Sequence, residues 1–272
     1  MQSRIDAAMR LSRRVALKIS RTTTRLVARP TPMGGLVRLG SLYGGWWVPA
    51  ALLDSTSVCY LAGVGEDVTF DLALVERFGC SVWAFDPTPR ARAHVATVDE
   101  PRFHFMPVGL WSESKVMRFY APSDPAHVSH SITNLQQTQG FFEATCRPVA
   151  ALMHELGHDR LALLKLDIEG AEGPVLDVML ADGVHPTVLC VEFDAAEPPW
   201  STLRRIRRLQ KVGYALVRVE DRNYTFVTSA AWLSRSPLRG TSGRWVAHRR
   251  TRSANLEPRP TARVRRWRGR CH

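Results

Sequence analysis

From Val58 onward the chain alternates short apolar runs with amphipathic segments, and that alternation leaves few folds open. Runs at 58–62 (VCYLA), 81–85 (SVWAF), 103–107 (FHFMP), 161–167 (LALLKLD) and 187–193 (TVLCVEF) read as strands. Between them, helical periodicity is predicted over 67–78, 88–97, 149–156, 173–182 and 201–212. Gly79 and Gly213 stop two of these helices, and Pro174 suits the first turn of a third. Near-continuous apolar strands separated by helices require a parallel sheet covered on both faces. Two closing runs, 214–219 (YALVRV) and 224–228 (YTFVT), flank EDRN and predict an antiparallel hairpin at the sheet edge. One more strand is expected at 116–120 (VMRFY), inside an otherwise polar connection over 112–148. The fold class expected is therefore α/β, a Rossmann-like doubly wound, mostly parallel sheet with a C-terminal antiparallel hairpin strand.

Charge divides the chain into three. Residues 1–50 hold nine Lys/Arg against one acid (+8), and residues 235–272 hold twelve Arg against one acid (+11). The middle, 51–234, holds 16 basic and 23 acidic residues (−7), so the net +12 belongs to the ends. A nucleic-acid-binding domain carries its positive patch on the folded body, so no specific nucleic acid is expected as partner. Polybasic ends suit anionic surfaces. The expected organisation is a basic, partly helical extension over 1–43, a catalytic domain over 44–234 and a disordered Arg-rich tail over 235–272. Within the extension, Ile5, Ala8, Met9, Ala16 and Ile19 share one helical face ahead of Pro30. TPMGG and LYGGWWVP then read as a glycine- and proline-broken entry to the domain. The twin-arginine-like SRRVALK (Ser12–Lys18) lacks the apolar stretch an export signal needs. No run approaches the roughly 18 apolar residues of a membrane span. Five scattered cysteines without a CxxC pair point to a reducing, cytoplasmic setting.

In an open parallel sheet, ligands bind beyond the carboxyl ends of the strands at the switch point. Gly63 and Gly65 stand at the end of the first core strand, where bare backbone allows a ligand to approach. Asp86 ends the next strand, 21 residues after Gly65, where a carboxylate can accept from two ribose hydroxyls. NAD and S-adenosylmethionine (SAM) both need that much. A dinucleotide GxGxxG would place glycine at position 68, which is Val68. Glu66–Asp67 at the helix start would repel a pyrophosphate and suits the ammonium and sulfonium of SAM. Asp67 is expected mainly to cap the helix.

LLKLDIEGAEGPVL (Leu163–Leu176) resembles the signature segment of the FkbM-type methyltransferase family. AGVGEDVTFDLALVERFG, AFDPTPR and EDRNYTFV resemble that family's first two motifs and closing hairpin, so the likeness spans about Gly44 to Val227. It implies a class I SAM-dependent methyltransferase, most often methylating a hydroxyl of a sugar, glycan or natural product. It also implies cofactor contacts at Gly63, Gly65 and Asp86, with Gly109 and Leu110 in VGLW near the adenine. The acid that many methyltransferases carry two residues before the first glycine is Leu61 here, and Glu66 is expected in its place. Asp167, at the tip of the fourth parallel strand, is the candidate base, with Glu169 beside it. Asp167, Glu192 and Asp194 also suit Mg²⁺, and the sequence leaves direct base and metal both open. Glu172 is expected to favour a helix N-terminus, and Lys165 to pair with a carboxylate or to take part in catalysis. His127 and His130, within the long 112–148 connection, are candidate acceptor contacts, His130 also a candidate catalytic residue.

Three other classes compete. HELGH (His154–His158) matches the HExxH of zinc proteases, but Gly157 and the strand that follows interrupt the helix such a site requires. A nicotinamide oxidoreductase lacks its third glycine. A catalytically idle scaffold acting through its basic ends would have no use for Asp167 and Glu169.

Overall fold

The computed structural model describes residues 28–121, 130, 132, 138–193 and 199–235; the N-terminal segment read as a basic helix, the Arg-rich tail, His127 and Asp194 lie outside them. The chain enters through a hairpin, β1 (Leu36–Leu39) against β2 (Trp46–Pro49), which the glycine- and proline-rich entry had concealed. Each strand has only four residues, too few for a period-2 signal to emerge.

The core follows the predicted alternation closely. β3 (Val58–Ala62), α1 (Thr69–Phe78), β4 (Ser81–Phe85), α2 (Pro89–Val95) and β5 (Phe103–Met106) form the first half. β9 (Leu163–Leu166), α4 (Glu172–Ala181), β10 (Val188–Glu192), α5 (Pro199–Lys211), β11 (Tyr214–Glu220) and β12 (Asn223–Thr228) form the second. β3, β4, β9 and β10 are buried along nearly their whole length, as strands covered on both faces must be. The sheet order is β11-β12-β10-β9-β3-β4-β5, with β12 antiparallel to both neighbours and β10, β9, β3, β4 and β5 mutually parallel. The fold class is the one expected: a Rossmann-like α/β sheet closed by an antiparallel hairpin. The chain runs outward from β3 through β4 to β5, then returns to β9 on the other side of β3. That reversal opens the crevice between the β3 and β9 tips.

Helix ends follow local chemistry. α1 closes on Gly79 in the left-handed conformation, its N–H bonded to the Val75 carbonyl. α2 opens with Pro89 behind Thr88, whose hydroxyl accepts from Ala91 N–H at 3.2 Å. Asp67 is the expected cap of α1, but the N-cap is Val68, without a side-chain cap; Asp67 stands one residue before it and accepts from the Thr69 N–H at 2.9 Å.

The stretch over 112–148 differs from expectation. It contains β7 (Lys115–Tyr120) and β8 (Phe141–Arg147), which join β6 (Gly109–Leu110), just ahead of it, in a separate three-stranded sheet ordered β6-β8-β7. β8 escaped prediction because its inner face, Phe142, Ala144 and Cys146, is only partly buried and alternates with exposed Phe141, Glu143 and Thr145, so FFEATCR is no continuous apolar run. Phe119 and Phe142 stack across β7 and β8 with centroids 5.3 Å apart. α3 (Val149–Leu156) leads from this sheet into β9, and a last helix, α6 (Ser229–Arg235), follows β12 where no periodicity was visible. The hairpin β1–β2 straddles the position 43/44 expected as a boundary. Ahead of it, Ala28 is buried in the core and Thr31 N–H donates to the Leu216 carbonyl at 2.7 Å.

Candidate active site

A cavity of about 480 Å³ lies at the carboxyl tips of β3, β4, β9 and β10. Its floor begins at Gly63, with φ +83°, where an added Cβ would overlap the Asp167 carbonyl oxygen outright. Asp167 N–H in turn donates to the Ala62 carbonyl at 3.2 Å, so the β3 and β9 tips press together and only glycine fits between them. Gly65 also adopts a positive φ, +58°.

Asp86 is 5% exposed and faces this loop. Its Oδ2 accepts from Val64 N–H at 3.0 Å and Gly65 N–H at 2.9 Å, and its Oδ1 from Thr88 N–H at 2.8 Å. The acid read as a ribose ligand is thus first of all the clasp of the glycine loop, with one of its roughly four lone-pair positions left for a ligand. Glu66 departs further from expectation. It lines the cavity but forms a forked ion pair with Arg90 of α2, at 3.0 Å to Nε and 2.8 Å to Nη2.

Asp67 is tied to the entry hairpin instead. Ser41 Oγ donates to Asp67 Oδ2 at 2.5 Å and accepts from the Tyr43 and Gly44 N–H groups at 3.1 and 2.8 Å. Burial alone would raise the Asp67 carboxyl, but the hydrogen bonds from Ser41, Thr69 and Gly44 hold it below its ordinary value. Through this strap, Tyr43, Gly44 and Trp46 become one wall of the cavity. The opposite wall includes Gly109 and Leu110 of β6. A Cβ on Gly109 would stand 2.8 Å from both Cys146 Sγ and the Phe119 ring, so glycine is required here by packing.

The carboxylates expected at the tips of β9 and β10 do converge. Lys165, only 6% exposed, donates to the Gly63 carbonyl at 2.8 Å and stands 3.3 Å from Asp167 Oδ2. Burial would lower this ammonium, but Asp167 and Asp71 outweigh it and keep Lys165 charged. On Asp167 burial acts upward. Lys165, a hydrogen bond with the Glu192 side chain and the Arg222 guanidinium more than offset it, so Asp167 stays below the usual carboxylate range. Arg222 Nη2 pairs with Glu192 Oε1 at 2.7 Å. Glu169 lines the cavity in a left-handed conformation, φ +53°, unusual for a non-glycine residue. Glu172, 2% exposed, accepts from Ile168 N–H at 2.8 Å and Gly170 N–H at 3.0 Å, fixing that loop from beneath. Glu172 therefore serves the loop and the start of α4, as its position suggested. His130 reaches the cavity beside Phe142, ring centroids 5.2 Å apart.

Of the three carboxylates suited to Mg²⁺, Asp194 lies outside the described residues, and Asp167 and Glu192 are engaged by cationic side chains. Lys165 and Arg222 occupy the flanks of Asp167 and Glu192, where further oxygen donors would be needed. Among the described residues no group of three or more His, Cys, Asp or Glu side chains is placed to hold a metal ion. The HExxH match fails geometrically as well. α3 ends at Leu156, and Gly157, at φ +70°, turns the chain away. His158 then meets the Tyr60 hydroxyl at 2.7 Å, and Glu155 pairs with Arg147. Four of the five cysteines are buried free thiols. Among the described residues no helix is long and apolar enough to cross a membrane.

Sequence reasoning missed Asp71, Trp46, Tyr43 and Arg222, all of which line the cavity. Asp71 had a local signal: it is a carboxylate on the face of α1 that buries Phe70, Leu74 and Val75. The others are brought in by the hairpin β1–β2 and the β11–β12 turn, whose positions no local pattern encodes.

The chain is 27% identical over 183 residues to Probable methyltransferase-like protein 24 of Homo sapiens, covering 66% of this chain and 44% of that protein. It thus spans less than half the length of that curated relative. Among solved structures, an rRNA methylase from Streptococcus thermophilus matches at 12% identity and TM-score 0.38, over 66% of this chain and 90% of that one. The fibrillarin/Nop5p complex matches at 8% identity and TM-score 0.38, over 65% and 73%. The model of the methyltransferase FkbM domain matches residues 62–216, more than half of the chain and all of the crevice-forming strands from β4 to β10, and the chain belongs to that family.

Proposed function

We propose that this protein is a SAM-dependent O-methyltransferase acting on a hydroxyl of a sugar, glycan or natural product. The observation that carries the reading is the convergence, at one sheet switch point, of a glycine loop too tight for any side chain with a carboxylate pair at the neighbouring strand tips. The residues fit such a donor. Gly63 and Gly65 leave the backbone bare, Asp86 keeps one acceptor position, and Gly109 and Leu110 offer a close-packed wall for a base. The cavity lining counts seven carboxylates (Glu66, Asp67, Asp71, Asp86, Asp167, Glu169, Glu192) against Lys165 and Arg222, an acidic setting that suits a cationic donor.

Bound SAM supplies a methyl group already activated on a sulfonium. The protein's part is to align the acceptor hydroxyl and take its proton. Asp167, held ionised by Lys165 and Arg222, accepts a hydrogen bond from that hydroxyl. A carboxylate of low basicity suffices, because the hydroxyl proton becomes strongly acidic as its oxygen gains a third bond. Glu192 and Arg222 orient Asp167, and His130 and Glu169 line the same cavity as candidate acceptor contacts.

Calorimetric titration of the full chain with SAM and, separately, with NADH tests the reading. Saturable SAM binding without NADH binding is expected; NADH binding without a SAM signal would overturn it.

A further inference from the structure

Two buried groups in the cavity have hydrogen-bonding capacity that the protein itself leaves unused. Asp71, in the first turn of α1, is 4% exposed, and its Oδ1 has no hydrogen-bond partner. A buried carboxylate oxygen without a donor is costly, and native proteins seldom retain one without a use. Lys165 has three N–H donors, of which Gly63 O and Asp167 Oδ2 take two. Asp71 and Lys165 are electrostatic partners, share the cavity lining with Trp46, and the Trp46 ring lies 5.9 Å from Lys165 Nζ.

The register explains why the carboxylate comes from a helix. Leu61 and Lys165 are paired across β3 and β9, so their side chains leave the sheet on the same face, toward α1. Leu61 packs there with Trp46, Phe70 and Leu74. An acid missing from strand position 61 is replaced, on that same face, by Asp71 reaching down from α1. Glu66 also lines the cavity but is engaged in its fork with Arg90.

One leftover acceptor and one leftover ammonium donor, lining the same cavity, match a zwitterion. We propose that Asp71 and Lys165 form the subsite for the α-amino acid end of the methyl donor, Asp71 accepting from its ammonium and Lys165 donating to its carboxylate. This rests on the SAM reading above. It moves recognition of the amino acid end from the glycine loop's own acids to a pair beneath the loop. Burial pushes the Asp71 carboxyl up to about 6, so the empty subsite gains a proton in mildly acidic solution and its pull on a ligand ammonium fades there.

The test compares two adenosine thioethers by calorimetry. S-Adenosylhomocysteine carries the amino acid end, and 5′-methylthioadenosine lacks it. Wild type is expected to bind the first at least tenfold more tightly. Asp71→Asn and Lys165→Met are expected to weaken S-adenosylhomocysteine at least tenfold and to leave 5′-methylthioadenosine within about twofold, which also shows that the variants fold. Unchanged affinity for S-adenosylhomocysteine in Asp71→Asn, or equal weakening of both ligands, would overturn the proposal and leave the SAM reading intact. Binding of neither thioether by wild type would overturn both. Should a variant fail to fold, the desamino analogue of S-adenosylhomocysteine on wild type decides instead, and undiminished affinity for it refutes the role of Asp71.

Discussion

The carboxyl of Asp71 should cost the protein stability at neutral pH, and its removal should return it. Burial raises this group from its ordinary 3.8 to about 6, Lys165 only partly opposing the rise. The folded state therefore holds a proton that the unfolded chain releases between those two values. Stability attributable to Asp71 is at its greatest below the unfolded value, declines as pH rises through the window, and is at its lowest above about 6. At 1.36 kcal/mol per pKa unit, the full penalty is about 3 kcal/mol. Asp71→Asn abolishes the titration but adds amide donors that find no ready acceptor, at a cost of about 1 kcal/mol. A net gain of about 1–3 kcal/mol at pH 7.5 follows, which for a domain of this size is a rise in Tm of roughly 2–4 °C per kcal/mol. Below pH 4 the penalty is absent, so the gain should give way to a loss of about 1 kcal/mol. Differential scanning calorimetry of both proteins at several pH values reads this directly. A variant less stable than wild type at pH 7.5, or a gain independent of pH, would refute the reasoning. Gain of stability with loss of ligand affinity is the pattern expected when a strained group is kept for binding.

Two further outcomes follow from the glycine loop. Gly63→Ala sets a methyl group into the Asp167 carbonyl at a positive φ, and should lower stability by about 3 kcal/mol or more in urea titration; an unchanged midpoint would mean the β3 and β9 tips do not touch. Asp86→Ala leaves the Val64, Gly65 and Thr88 N–H groups without their acceptor, so a loss of about 2–3 kcal/mol should accompany at least a tenfold loss of SAM affinity, and loss of affinity with unchanged stability would show that Asp86 serves the ligand alone.

Much of the frame was legible from local pattern. β3, β4 and α3 begin and end at the predicted residues, because each is a buried apolar run or an amphipathic turn bounded by glycine, proline or a polar step. The site was legible in a different sense. Gly63, Gly65, Asp86, Asp167, Glu169 and Glu192 reach the cavity, since strand tips in a parallel sheet must share one edge, and Gly109 and Leu110 join them from the separate β6-β8-β7 sheet. Their partners were not legible. Glu66 looked free to meet a ligand, and only the placement of α2 beside the loop gives it Arg90.

The sequence alone thus determined the order of strands and helices, the parallel sheet and the edge at which its chemistry gathers, because these depend on hydrophobic period and on residues close in the chain. Tertiary structure alone decided which carboxylates remain available. Asp86 is bound to backbone 21 and 22 residues away, Glu66 to Arg90, and Asp167 to Lys165, while Asp71 is left with an open oxygen beneath Trp46. Charge compensation acts through space at a few ångströms and is blind to sequence distance, so reading along the chain reached only the pairing of Lys165 with a carboxylate and none of the distant ones.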